Sequence, residues 1–309
     1  MSLMRNLLGG LLGDRFAPAG AAAKAAPGPA TGPSPWRGVA PVTPFIAIFA
    51  AFVLMAVFAP ILAPYSPYSQ ELLGRLQPPG GEARGTWFLL GSDELGRDLL
   101  SRLIYGAQVS MLVATSSVAL SLVLGTLLGM IAAIRRGFTE ILIMRLVDVF
   151  LSIPPILLAI ITVAVLGPGL TNVVLVLALT RWPRYARVAF GQTLSVANTP
   201  YVKLSRHMGV GLPRLLLRHV LPNIIGPITV VATLEFGLMV LFEAGLSFLG
   251  LGVQPPMSSW GAMLNVGRNY LGSAWWIAVF PGLCLFLLIL SVNLIGDHLR
   301  DRLDPRSRR

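Results

Sequence analysis

The sequence predicts an all-α integral membrane protein, with six transmembrane helices and both termini in the cytoplasm. Three observations carry this expectation. Of 309 residues, 55% are hydrophobic and only 12% are charged, where soluble domains carry about 25% charged residues, and the mean hydropathy is +0.74. Residues 39–70, 103–134 and 149–180 contain no Asp, Glu, Lys or Arg, and each run exceeds the roughly 20 apolar residues that a helix needs to cross a bilayer. Lys and Arg also divide unevenly. Nineteen lie on segments that share a side with the N-terminus and five on the opposite side. Basic residues collect on cytoplasmic loops, so the N-terminus, the C-terminus and the loop around Gly209 are placed inside.

The elements follow in order. Residues 1–43 are rich in Ala, Pro and Gly after a short Leu-containing stretch, and read as a flexible cytoplasmic tail. The stretch over 1–16 could form a short amphipathic helix, but Gly and Asp14 interrupt it too often for a signal-peptide core. Spanning helices are expected over about 44–63, 109–134, 140–165, 170–190, 224–246 and 275–296, within a transmembrane domain covering 44–303. Pro154-Pro155 is expected to break the third helix and Trp182-Pro183 the fourth. The connection over 64–108 is polar, with turn signals at Pro78, Pro79, Gly80 and Gly81. Residues 247–274 suit an interfacial loop or a re-entrant piece packed in protein. Residues 304–309 form a basic cytoplasmic tail.

Composition excludes several functions. A net charge of +11 invites nucleic-acid binding, but the cytoplasmic concentration of Arg accounts for it. The single cysteine, Cys284, permits no internal disulfide, and no Cys/His cluster suggests a metal. The only lysines, Lys24 and Lys203, are followed by Ala and Leu, so no phosphate-cradling GxxxxGK[ST] loop exists. Neither catalytic residues nor a cofactor site is expected. His207, His219 and His298 lie on basic inner segments and read as solvated or contact residues.

The most informative stretch is residues 201–227, a basic segment between two apolar ones. Thr199-Pro200 signals a helix start. Gly209 and Gly211 end that helix, Pro213 opens a second short one, and Pro222 ends the second. The result is a helix-turn-helix lying along the membrane, suited to docking on another protein. The spacing resembles the coupling loop of the membrane subunits of bacterial ABC importers, EAA-x3-G-x9-I-x-LP. Lys203, Leu204 and Ser205 occupy the EAA places, Gly209 matches, His219 stands for Ile, and Leu221 and Pro222 match. LGSDELGRDLLSR over 90–102 and EAGLSFLGLGVQPPMSSWG over 243–261 are similar to segments of the second, C-type permease subunit of dipeptide, oligopeptide and nickel importers.

That resemblance runs from about 45 to 302. It implies a type I importer permease in the bacterial inner membrane, without catalytic activity, forming half of a translocation pathway. The partners it implies are a homologous second permease, two ABC ATPase subunits and an extracytoplasmic substrate-binding protein. Carried onto this chain, it assigns Tyr201, Lys203, Leu204, Ser205, Gly209, Leu221 and Pro222, within 199–222, to ATPase coupling. Lys203 puts a positive charge where the family has a negative one. Asp93, Gly96, Arg97 and Asp98 belong to an outer-face segment. Its charged residues can pair across one helical turn, and it serves either as a contact for the binding protein or as a self-paired lid.

Three carboxylates near spanning segments are candidates for the translocation path, because charge inside a membrane is costly and often functional. Asp148 has Arg145 three residues before it as a partner. Glu235 falls near mid-membrane and is the strongest candidate for the lumen. Glu243 falls near the outer end and is placed to accept bonds from loop amides. An intramembrane enzyme would need two of these to converge, yet they lie at three depths. A self-sufficient ion-coupled carrier usually has paired repeats and more spans.

Overall fold

The computed structural model describes residues 42–303. Residues 1–41 and 304–309 lie outside the described residues, and with them nearly all of the N-terminal tail, its short amphipathic helix and the basic C-terminal tail. The chain runs α1 (Thr43–Val57), α2 (Ala59–Leu62), a hairpin of β1 (Gly81–Ala83) and β2 (Thr86–Phe88), then α3 (Leu99–Arg135), α4 (Phe138–Ser152), α5 (Pro155–Leu166), α6 (Leu170–Ala197) and α7 (Pro200–His207). After these come α8 (Leu212–Phe248), α9 (Trp260–Gly267) and α10 (Trp276–Leu303). The hairpin is antiparallel, with Glu82 opposite Trp87, and is a small departure from an all-α chain.

Among the described residues, α3, α8 and α10 are long and apolar enough to cross a membrane, and the bent pair α4–α5 makes a fourth span when counted as one. The shorter α1, 15 residues long, is apolar throughout. By contrast α6 carries Arg181, Arg184 and Arg187 at its centre.

Several boundaries differ from expectation for one reason: polar residues that look too costly for a membrane helix are satisfied inside the protein. Thus α3 begins at Leu99, ten residues early, because Asp98 caps it by accepting from Ser101 N–H at 2.8 Å. The following Arg102 is buried on Asp93 and Ser258. Likewise α6 continues to Ala197, seven residues past the expected end, which puts its three arginines at the middle of the helix and not at its inner end. Without them the basic residues still divide sixteen to five.

The expected break at Pro154-Pro155 is present: α4 and α5 meet at 94°. The expected break at Trp182-Pro183 is absent, and α6 runs through Pro183. Packing explains the difference. Ser117, Ser121, Gly125, Gly129 and Ala133 recur every fourth residue on α3 and form a face of small residues against α6. A Cβ at Gly125 would collide with Trp182 O, and one at Gly129 with Ala186 O. Backbone contact on both sides of the proline keeps α6 continuous through it. Neighbouring helices commonly make proline tolerable in this way.

Two apolar clusters position the candidate sites. One joins α1, α3, α5, α6, α8, α9 and α10 through residues such as Phe52, Leu103, Val176, Met239, Trp260 and Leu288. The other gathers Met130 and Ile134 of α3, Tyr185 and Ala189 of α6, and Val202, Leu215, Leu216, Val220 and Ile224 around the 199–222 loop.

Candidate functional site

The loop over 199–222 has a buried side and an exposed side. Val202 of α7 is 2% exposed and sits in the second cluster, while Leu204 is 62% and Met208 75% exposed. Tyr201 and Lys203 are also exposed, and Ser205 is half-buried. Gly209 follows α7 with φ at +78°, a left-handed conformation that favours glycine, whereas Gly211 keeps an ordinary negative φ of −60°.

The second half of the loop is not a separate short helix ended by Pro222. It forms the start of α8, through a π-helical turn at Leu215–Val220. The Leu221 N–H reaches back to Leu216 O, and Pro222 then stands at the start of the α-helical part, Leu221–Phe248, where a missing N–H costs little. Tyr201 Oη lies 3.5 Å from His219 O, so one side chain bridges the two halves. Lys203, Arg206 and His207 line a basic cavity of about 520 Å³ beside Arg136 and Asn198.

A second polar group lies at the middle of α6 and α8. Glu235 is buried and pairs with Arg184 at 2.7 Å and Arg181 at 3.6 Å. The Arg181 guanidinium also stands 4.2 Å from the centre of the Phe242 ring. Asp148 pairs with Arg187 across the α4–α6 interface, not with Arg145 on its own helix. Arg184 and Arg187 open on a cavity of about 410 Å³, lined also by Leu151, Val188, Val231, Leu234 and Glu235. Glu235 is therefore the buried anchor of this wall, and Arg184 and Arg187 carry the exposed charge. Glu243 stands apart and is fully buried. It accepts from Ser110 Oγ at 2.9 Å and Ser247 Oγ at 2.8 Å, not from loop amides.

Residues 90–102 form a turn followed by the start of α3, not one helical turn of paired charges. Asp93 accepts from the N–H of Leu95 at 2.8 Å and of Arg97 at 2.9 Å, from Arg97 Nε at 2.7 Å, and from Arg102. Glu94 pairs with Arg97 at 3.1 Å, while Asp98 is used as the helix cap. Burial pushes the Asp98 carboxyl above its usual range, and the bonds from Ser101 oppose that shift. Gly96 has φ at +73°, and a Cβ there would collide with Glu71 O.

Comparison with known proteins decides the family. Residues 125–309 match the family described as binding-protein-dependent transport system inner membrane component, and residues 45–79 match the N-terminal TM domain of oligopeptide transport permease C. The chain belongs to this family of ABC importer permeases. It is 49% identical over 258 residues to the di/tripeptide transport system permease protein DppC of Pseudomonas aeruginosa, covering 82% of this chain and 84% of that one. It is 40% identical over 260 residues to the probable D,D-dipeptide permease DdpC of Escherichia coli, covering 84% and 86%. It is 40% identical over 254 residues to the glutathione permease GsiD of Pectobacterium atrosepticum, covering 82% and 83%. A solved inward-facing structure of the MetNI methionine ABC transporter matches with a TM-score of 0.54 at 19% identity, over 67% of this chain and 98% of that one. The permease thus has the fold of a type I importer subunit. It is a non-catalytic component of the bacterial inner membrane and works with an ATPase and a binding protein.

Reasoning from sequence missed Arg184 and Arg187 as cavity residues. Their spacing with Arg181, three residues apart each time, was the available signal, since it puts all three on one helical face. Arg102, Ser110 and Ser258 were missed because nothing local identifies a buried partner 133 or 156 residues away.

Proposed function

We propose that this permease is one of two homologous subunits that together form the path for short peptides or chemically related small solutes. The named relatives support this substrate class, since they include dipeptide, D,D-dipeptide and glutathione permeases. In this reading six helices cross the membrane, α1 and α6 among them, and both termini and the 199–222 loop are cytoplasmic. Two ATPase subunits drive the assembly, and a binding protein delivers solute to the opposite face, where residues 90–102 lie.

The observation that carries the reading is the division of the 199–222 loop. Val202, Leu215, Leu216 and Val220 are anchored against α3 and α6, and Tyr201, Lys203, Leu204 and Met208 are left uncovered. Such a loop receives a partner on its outer face and passes displacement to spanning helices through its inner one. Leu221 and Pro222 lie where the π-helical turn of α8 passes into its α-helical part. The Arg184–Glu235 and Arg187–Asp148 pairs form the charged wall of the path, and Glu243 ties α8 to α3 beside it.

Crosslinking tests this. In the assembled transporter with Cys284→Ser, a thiol crosslinker joins Leu204→Cys, on the exposed face, to an ATPase subunit. Val202→Cys, on the buried face, does not react. Absence of any ATPase crosslink from Leu204→Cys contradicts the docking face. In whole cells an impermeant thiol reagent labels Glu82→Cys and spares Met208→Cys, and the reverse pattern contradicts the topology.

A further inference from the structure

We infer that Arg184 and Arg187 form an anion subsite in the wall of the mid-membrane cavity, taking the free carboxylate of the passing solute. This rests on the reading of that cavity as part of the translocation path. Charge count motivates it. Three arginines of α6 meet two carboxylates, Glu235 and Asp148, so the group carries one excess positive charge. Arg181 is buried, at 6% side-chain exposure, and is held by Glu235 and the Phe242 ring. Arg184 and Arg187 retain 55% and 52% exposure, and the structure gives each a single carboxylate. A guanidinium has five N–H donors in a planar fork, so most of each fork is open.

A guanidinium facing hydrocarbon is costly, and half-exposed pairs at the centre of a membrane helix require water, an anion or the second permease in front of them; in a path wall it is water and the solute. Arg184 and Arg187 are three residues apart and project from one face of α6. Glu235 also reaches the cavity, where Arg184 pairs with it, and the remaining lining, from Leu151, Val188, Val231 and Leu234, is apolar. A small solute with a carboxylate at one end and apolar side chains matches that lining. The fork geometry of Arg suits a carboxylate, which it can bind through two parallel bonds.

The test uses the intact transporter, with its partner subunits and binding protein, in proteoliposomes. The probes are a free dipeptide and its C-terminal amide, and the binding protein's affinity for each is measured separately and divided out. Arg187 is the better position to change, because its partner Asp148 is itself half-exposed. Arg187→Gln lowers uptake of the free dipeptide about tenfold and leaves uptake of the amide within about twofold, as expected for loss of one charge-assisted contact. Arg187→Lys retains part of the preference. Equal losses for both probes, or no change in their ratio, overturn the subsite. Failure of the wild type to import the free dipeptide overturns the substrate class and the subsite together. Leu151→Cys, with Cys284→Ser, separates the two readings by its labelling with a water-soluble thiol reagent. A labelled cysteine with an unchanged ratio overturns the subsite alone, and an unlabelled one overturns the path as well.

Discussion

The charged segments 90–102 and 199–222 are built on opposite plans. In the first, the charges turn inward. Asp93 and Arg102 have side-chain exposures of 2% and 8%, and Asp93 collects two backbone amides and two guanidinium groups. In the second, Val202, Leu215, Leu216 and Val220 turn inward, and Lys203, Leu204, Arg206 and Met208 are left exposed. Similar residue types therefore produce a brace within the chain in one place and an uncovered surface in the other. Burial decides which. A buried charge must be paired where it stands, because the unpaired state is too costly. An exposed charge is solvated, binds weakly within its own chain and is available to a partner. The cluster around Glu235 combines both plans, with Glu235 and Arg181 inside and Arg184 and Arg187 half-exposed.

The comparison can be broken at several points. Asp93→Ala leaves Arg102 buried without its carboxylate, and breaking such a pair costs about 3–5 kcal/mol. The purified complex should melt well below the wild type or fail to assemble. An unchanged melting temperature would show that 90–102 is not a brace. Glu235→Gln keeps the shape and an acceptor for Arg184 but removes the charge facing buried Arg181, at a cost of about 1.5–3 kcal/mol. Stability and transport should both fall, measured by melting and by vesicle uptake. Full stability with altered transport would place Glu235 in the open path, not behind it. Lys203→Glu, on the exposed face, should change assembly with the ATPase by only about 0–1 kcal/mol. Complete loss of the complex would reveal a specific acidic partner for Lys203.

Much of this was legible in the sequence, and the misses share a cause. Long apolar runs, the break at Pro154-Pro155 and the glycine joint at 209 depend on local composition and backbone, and the structure contains each of them. The continuity of α6 through Pro183 was hidden because it depends on Gly125 and Gly129, more than fifty residues earlier. The continuity through Pro222 depends on a π-helical turn, for which no residue pattern was available. The partners of Asp148 and Glu243 lie on other helices. The candidate at Glu235 was found because a mid-helix carboxylate is rare. Its burial was not legible because its partners, Arg181 and Arg184, lie on another helix more than fifty residues away.

Gly209→Val tests the central claim most directly, that the 199–222 loop converts ATP hydrolysis into movement of the spanning helices. No atom lies within 4 Å of a Cβ at this position, so the substitution introduces strain at φ +78° and no collision. That strain costs about 1–3 kcal/mol and tilts α7 against α8. The measurement is solute imported per ATP hydrolysed by the reconstituted transporter. The expected result is an assembled complex that still hydrolyses ATP while import per ATP falls about tenfold or more. A wild-type ratio would contradict the account.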